Sequence, residues 1–78
     1  MIETIIAESP FTLAIAYDVA GNPIYVGEAF PGTGKAATGW RIKRITYDAN
    51  DNATDVQWAD GTSQLDKVWD DRLNYTYS

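Results

Sequence analysis

The chain has 78 residues and a formal net charge of −5, from eleven acidic and six basic side chains, and it contains neither His nor Cys. Affinity for phosphate comes largely from Lys and Arg, so the acidic surplus argues against nucleic acid as a direct partner. Without His and Cys the usual nucleophile–base pairs and zinc ligands are missing. We therefore predict a protein that is not an enzyme and holds neither a cofactor nor a metal.

The length allows one small domain, which buries only about 60–65% of the surface of its unfolded chain. Oligomerisation or docking on a partner is a common second source of stability at this size. The sequence has no run of 18 apolar residues, so we expect no membrane span. Its start does not read as a signal peptide, and we expect the protein to be made in a cytoplasm and kept there or assembled there.

The first part of the chain contains an apolar arm followed by two strands. We predict an N-terminal arm over residues 1–11 and a single β domain over residues 12–78. Apolar and smaller or polar residues alternate over residues 12–18 and again over 23–29, which indicates two strands. The intervening DVAGN contains Gly and Asn, which favour a tight hairpin turn.

One phrase occurs twice, as YDVAGNPIYVGEA over residues 17–29 and as YDANDNATDVQWA over residues 47–59. The second copy again has a strand, IKRITYD, then turn residues, then an alternating strand, ATDVQWA. The repeat therefore predicts two similar β-hairpin tips. Ile42 and Trp58 lie on the apolar sides of their strands, and we predict that both are core residues.

Two segments interrupt this regularity. In WRIKRITY, Trp40 and Ile42 lie on one face but Ile45 and Tyr47 on the other, which indicates either a bulge near Lys43 and Arg44 or a strand covered on both sides. We favour the bulge. The segment FPGTGKAATG, residues 30–39, is too rich in Gly and Pro for regular structure and is long for a connection, so it is expected to be functional or mobile.

The C-terminal part has a turn, a short helical stretch and a last strand. ADGT carries the Asp-Gly turn signal, SQLDKVWDDRL has spacing for one or two helical turns, and LNYTYS is expected to place Leu73, Tyr75 and Tyr77 on one side. Together the elements predict an all-β fold: a small antiparallel meander of about six strands forming a sandwich or a partly open barrel.

Three residue clusters have an alternative functional interpretation. DANDNATD resembles half of a calcium loop, but Ala53 and Ala59 replace its Gly and Glu, so a plain turn is favoured. A basic stripe around Lys43 is interpreted as a solvated or acid-paired strand face in a chain this acidic. Aromatic rings beside carboxylates are typical of glycan platforms, although a small domain needs its tryptophans inside; the candidate glycan residues are Trp58, Asp60, Trp69 and Asp70.

The segments YVGEAFPGT, GWRIKRITYD, VQWADGT and VWDDRLNYTYS resemble a set of small uncharacterised proteins encoded in tailed-bacteriophage genomes, often among the structural genes. The resemblance covers about residues 16–78. It implies a virion component without an enzymatic role, on either the capsid or the tail, and it defines no functional residues.

The expected function is that of a virion structural accessory protein, assembled in the host cytoplasm. It would dock in multiple copies on a larger virion protein, as a capsid decoration or a tail or fibre adaptor, and contact copies of itself. The arm and the residue 30–39 loop are the parts expected to make contact, with the interface residues Ile5, Ile6, Phe11, Phe30 and Pro31. The alternative is a glycan-binding module for host-surface recognition.

Overall fold

The computed structural model describes residues 10–78, and the predicted interface residues Ile5 and Ile6 lie outside them. Five strands and a 3₁₀ helix follow in order: β1 (Thr12–Tyr17), β2 (Pro23–Ala29), β3 (Thr38–Tyr47), β4 (Ala53–Trp58), β5 (Lys67–Val68) and the helix Trp69–Asn74. Strands β1 to β4 form an antiparallel meander, and β5 pairs with β3. The predicted small all-β fold is confirmed, and its sheet is not closed.

The repeated phrase forms two equivalent hairpin tips, as predicted. Asp18 and Asp48 each accept two backbone amide hydrogen bonds on Oδ1, at 2.9 to 3.0 Å, from residues two and four positions later. Gly21 in the first tip and Asp51 in the second have the positive φ, 89° and 63°, that closes such a loop. The tips also touch, because Asn22 Nδ2 donates to Asp51 Oδ1 at 3.1 Å.

The predicted ADGT turn is also present. Asp60 and Gly61 both have positive φ, 54° and 67°, and Thr62 donates its amide to the Ala59 carbonyl. Two left-handed central residues define the type I′ turn that Asp-Gly favours. At this turn the chain reverses direction after β4, and the C-terminal part then lies against one face of the sheet.

One face of the sheet is covered by the C-terminal part of the chain. Trp69 and Trp40 pack there with ring centroids 5.9 Å apart, and both are buried. The residues of the sheet that lie against these rings are small, and they leave room for the two indoles. The buried core consists of Ala14, Ala29, Trp40, Ile42, Ala59, Trp69 and Tyr77.

The prediction of a last strand over LNYTYS is wrong. Leu73 belongs to the 3₁₀ helix and is exposed, whereas Tyr77 is buried and forms an isolated bridge with Ala59; a last strand with both on one side does not form. The Tyr75 hydroxyl accepts the Val68 amide, and the Tyr77 hydroxyl donates to the Arg72 carbonyl. These two bonds favour a compact corner over an extended segment.

The predicted bulge near Lys43 and Arg44 is also wrong. Pairing between β2 and β3 runs without a shift across both residues, and the irregularities of β3 lie between Thr46 and Tyr47 and near Trp40. The strand alternates normally, with apolar residues on both faces. Ile42 is fully buried, as predicted, whereas Trp58 is only half-buried because it points to the opposite face.

Within residues 10–78, no helix has both the length and the apolar character needed to cross a membrane.

Candidate functional site

The side of the sheet away from the tryptophan core is the candidate site. Residues directly opposite each other on antiparallel strands share a face, so one row across the sheet is Ile15, Val26, Lys43 and Trp58. We call this side the open face. It consists of Phe11, Leu13, Ile15, Val26, Glu28, Phe30, Arg41, Lys43, Ile45, Val56 and Trp58.

The open face is apolar and accessible. Leu13 and Ile15 on β1 are 57% and 44% exposed, Phe30 is 55% exposed and Val56 on β4 is 58% exposed. They account for four of the seven large exposed hydrophobic side chains among the described residues. Scattered exposed apolar residues are ordinary, but several on one face make a patch that requires an explanation.

Aromatic rings and a guanidinium form one end of the open face. Phe11 and Phe30 pack together with centroids 5.2 Å apart, and the Arg41 guanidinium lies 4.5 Å from the centre of the Phe11 ring. Arg41 Nε also donates to Glu28 Oε1 at 2.6 Å. The ion pair and the ring contact fix the position of Arg41, and charged groups held in this way are pre-organised for contact.

Lys43 lies at the centre of the open face. Its Nζ is 5.3 Å from the centre of the Trp58 ring, and no carboxylate among residues 10–78 pairs with it. Arg41 and Lys43 outnumber the single carboxylate of this face, Glu28, although the whole chain has a net charge of −5. The open face is therefore basic relative to the rest of the molecule.

The predicted interface residues on either side of the first hairpin meet at this surface. Phe11 is half-buried, while Phe30 and Pro31 are exposed. The loop that follows Phe30 is tied to the protein's own core, since the Trp40 indole donates to the Gly34 carbonyl and the Asp70 amide donates to the Lys35 carbonyl. The two phenylalanines, rather than the whole loop, continue the open face.

The candidate glycan residues do not form a common platform. Trp69 is 4% exposed and packs in the core, so its ring is not available for stacking on a sugar, which corrects that assignment. Trp58 lies on the open face beside Lys43. Asp60 and Asp70 are both exposed, but the two indoles that would have to lie side by side are on opposite faces of the sheet.

The side chains of Asp18 and Asp48 bind backbone amides of their own turns, and the side chains of Asn22 and Asp51 bind each other. Backbone amide hydrogen bonds from Asn52 and Asn50 lower the pKa of Asp48 below its usual value. Among the described residues no group of three or more carboxylates is placed to hold a metal ion. The geometry is that of the plain turn favoured from the sequence.

Sequence reasoning missed Leu13, Ile15, Arg41 and Val56 as a surface. The sequence does contain a signal for this surface, because small residues recur at alternate positions and place one face of the sheet apart from the other. The covered face of β1 and β2 has Ala14, Gly27 and Ala29, and the large side chains of β1 are at the other positions. Small residues on one face indicate that bulky groups pack there, and large ones on the other face remain for a partner.

Comparison of the chain with protein-family models, curated proteins and solved structures found no match.

Proposed function

We propose that the chain is a non-enzymatic structural accessory protein of a tailed-bacteriophage virion, which docks in multiple copies on a larger virion protein through its open face. The resemblance of its motifs to small phage-encoded proteins supports the setting. The open face supports the docking, because several exposed apolar side chains on one face of a sheet are typical of sites of protein interaction. The location would be the virion, after assembly in the host cytoplasm.

The observation that carries the proposal is the contrast between the two faces of one sheet. The covered face has two buried indoles and its own C-terminal layer. The open face has large aliphatic side chains that are about half exposed, at both edges of the sheet. A domain of this size buries only a small core. A partner that covers the open face would therefore stabilise the domain as well as attach it to the particle.

The side chains of the open face indicate what kind of surface the partner must have. Aromatic residues dominate interface cores, so Phe11, Phe30 and Trp58 are the expected anchors, with Pro31 at the rim. Lys43 calls for a carboxylate opposite it, since an unpaired cation in a buried interface costs free energy, whereas Arg41 is already paired with Glu28. The partner surface is therefore apolar with an acidic group near its centre.

Quantifying the chain in purified particles tests the proposal. Val56→Lys places a charge on the open face and should lower the copy number per particle. Leu73→Lys is the matched control, because Leu73 is exposed on the 3₁₀ helix, away from that face, and should incorporate normally. Lys43→Glu should also reduce incorporation.

Two results would overturn the proposal. One is that the chain is absent from purified particles. The other is that Val56→Lys and Lys43→Glu, both folded by circular dichroism, incorporate at the same copy number as Leu73→Lys.

A further inference from the structure

We infer that two copies of the chain pair through β1, antiparallel and about a two-fold axis, so that their two four-stranded meanders form one continuous sheet. In the order β1-β2-β3-β4, strand β1 is an outer strand with β2 as its one neighbour among the described residues. Within the described part of the chain no strand occupies its outer backbone groups, which can therefore accept another strand. This inference goes beyond the proposed function and does not depend on it.

Strand β1 lacks the features by which proteins protect an edge. Such edges usually have charged side chains, Pro or a central bulge. The sequence of β1, TLAIAY, has no charge and no Pro, and its one irregularity lies at the end, between Ala16 and Tyr17. Apolar, uncharged strand segments of this length pair readily with copies of themselves.

The opposite edge of the sheet is protected. Strand β4 contains Asp55, and its end is covered by the C-terminal residues: Trp58 and Ser78 exchange backbone hydrogen bonds at 3.1 Å, and the Asp60 amide donates to the Thr76 carbonyl. Among residues 10–78, the edge at β4 is thus protected and the edge at β1 is left available. Pairing at β1 alone gives a closed dimer rather than a fibre.

Charge favours a second copy at this edge over a second copy on the open face. Two chains with a net charge of −5 repel each other, so copies meet best where neither contributes a charge. The whole of β1 meets that condition. Stacking two open faces would instead bury two cations of each copy, Arg41 and Lys43, with Glu28 as the single carboxylate of that face, which is costly.

The symmetry fixes which residues meet. An antiparallel pair on a two-fold axis keeps the open faces of both copies on the same side of the sheet, so residues of like alternation stand opposite each other. The regular part of β1, Thr12 to Ala16, is centred on Ala14. Ala14 then faces Ala14 of the second copy, and Leu13 faces Ile15. The dimer presents two open faces side by side. This arrangement suits a protein that docks in multiple copies.

Sedimentation of the full chain over a concentration series tests the pairing. We expect a monomer–dimer equilibrium that shifts to dimer as concentration rises, since an interface of one strand pair is smaller than the roughly 1,600 Å² of a standard one. Leu13→Lys should keep the chain monomeric at every concentration. Val56→Lys is the matched control, because Val56 is equally exposed, at 58% against 57% for Leu13, and lies on the other edge.

Single cysteines locate the contact, because the chain has no native Cys. A mixture of Leu13→Cys and Ile15→Cys proteins, one carrying a size tag, should form the mixed disulfide under mild oxidation at least tenfold faster than either protein forms its own. A self-linked Ile15→Cys dimer as the main product would overturn the register centred on Ala14. A chain that remains monomeric, or that forms larger oligomers unaffected by Leu13→Lys, would overturn the pairing itself.

The two proposals fail separately. Sedimentation uses the isolated chain and requires no particle, whereas Val56→Lys should weaken incorporation into particles and leave the dimer intact.

Discussion

The indole of Trp69 lies against the backbone of Gly27, so closely that a Cβ at Gly27 would be 2.5 Å from Cε3 of Trp69 and 3.0 Å from Cε3 of Trp40. No side chain other than hydrogen fits in the middle of β2 while both rings keep their places. The glycine therefore permits the tryptophan layer to sit directly on the sheet.

Gly27→Ala should lower the free energy of unfolding by about 1–3 kcal/mol, the usual cost of overpacking a core. Urea denaturation followed by tryptophan fluorescence measures the change. Gly34→Ala is the matched control, since a Cβ there meets nothing within 4 Å, and it should leave the midpoint nearly unchanged. Equal midpoints for the two variants would show that Trp69 does not lie where the structure places it.

The tryptophans should differ in their contribution to stability. Trp40 is 1% exposed, so Trp40→Ala should cost about 3–5 kcal/mol, which approaches the roughly 4–10 kcal/mol expected for the whole domain. Trp58 is half-buried on the open face, and Trp58→Ala should cost only about 1–2 kcal/mol. Denaturant midpoints of the two variants measure the difference. If Trp58→Ala proved as damaging as Trp40→Ala, the open face would have to be covered within one chain.

The Asp48 turn should make stability depend on pH. Amide hydrogen bonds from Asn52 and Asn50 favour the charged carboxylate and lower its pKa in the folded state. This contribution is present above the unfolded-state pKa of about 3.9 and is lost as the pH falls through the lower folded value. The stability gap between the wild type and Asp48→Ala should therefore narrow on going from neutral pH to about pH 2.

Urea denaturation at both pH values measures that gap, and Asp71→Ala, in an exposed position, controls for removal of a surface charge. A gap of the same size at low pH would mean that Asp48 acts through turn geometry alone and not through its charge.

Tyr77 should limit stability at the alkaline end. Burial, together with the neighbouring Tyr25, raises the pKa of Tyr77 to about 12, and its hydroxyl donates to the Arg72 carbonyl at 2.8 Å. Because the folded-state pKa exceeds the unfolded value of about 10, the contribution of the neutral phenol is complete below about pH 10 and is lost as the pH rises toward 12. Thermal unfolding should show stability falling over that range.

The phenolate absorbance of the wild type minus that of Tyr77→Phe isolates the group. We expect the midpoint of this difference curve near 12 in the folded protein and near 10 in urea. Coincident midpoints would place the phenol in contact with solvent.

The sequence alone determined the local structure. The pattern Tyr-Asp followed by Asn occurs twice and specifies two equivalent hairpin tips, because the Asp carboxylate accepts backbone amide hydrogen bonds within its own turn. Asp60 and Gly61 specify the type I′ turn in the same way. Alternation specified the strands of the meander, and a fully buried Ile42 follows from it.

Tertiary structure decided which face of the sheet is covered. The alternation in β3 and β4 has apolar residues on both sides, so the sequence placed Trp58 inside as readily as Trp40. The choice depends on the C-terminal segment, whose 3₁₀ helix brings Trp69 onto Gly27 and Trp40. That contact joins residues far apart in the chain, and local propensity contains no information about it. Once the indoles occupy the face with the small residues, Leu13, Ile15, Val56 and Trp58 are left on the open face.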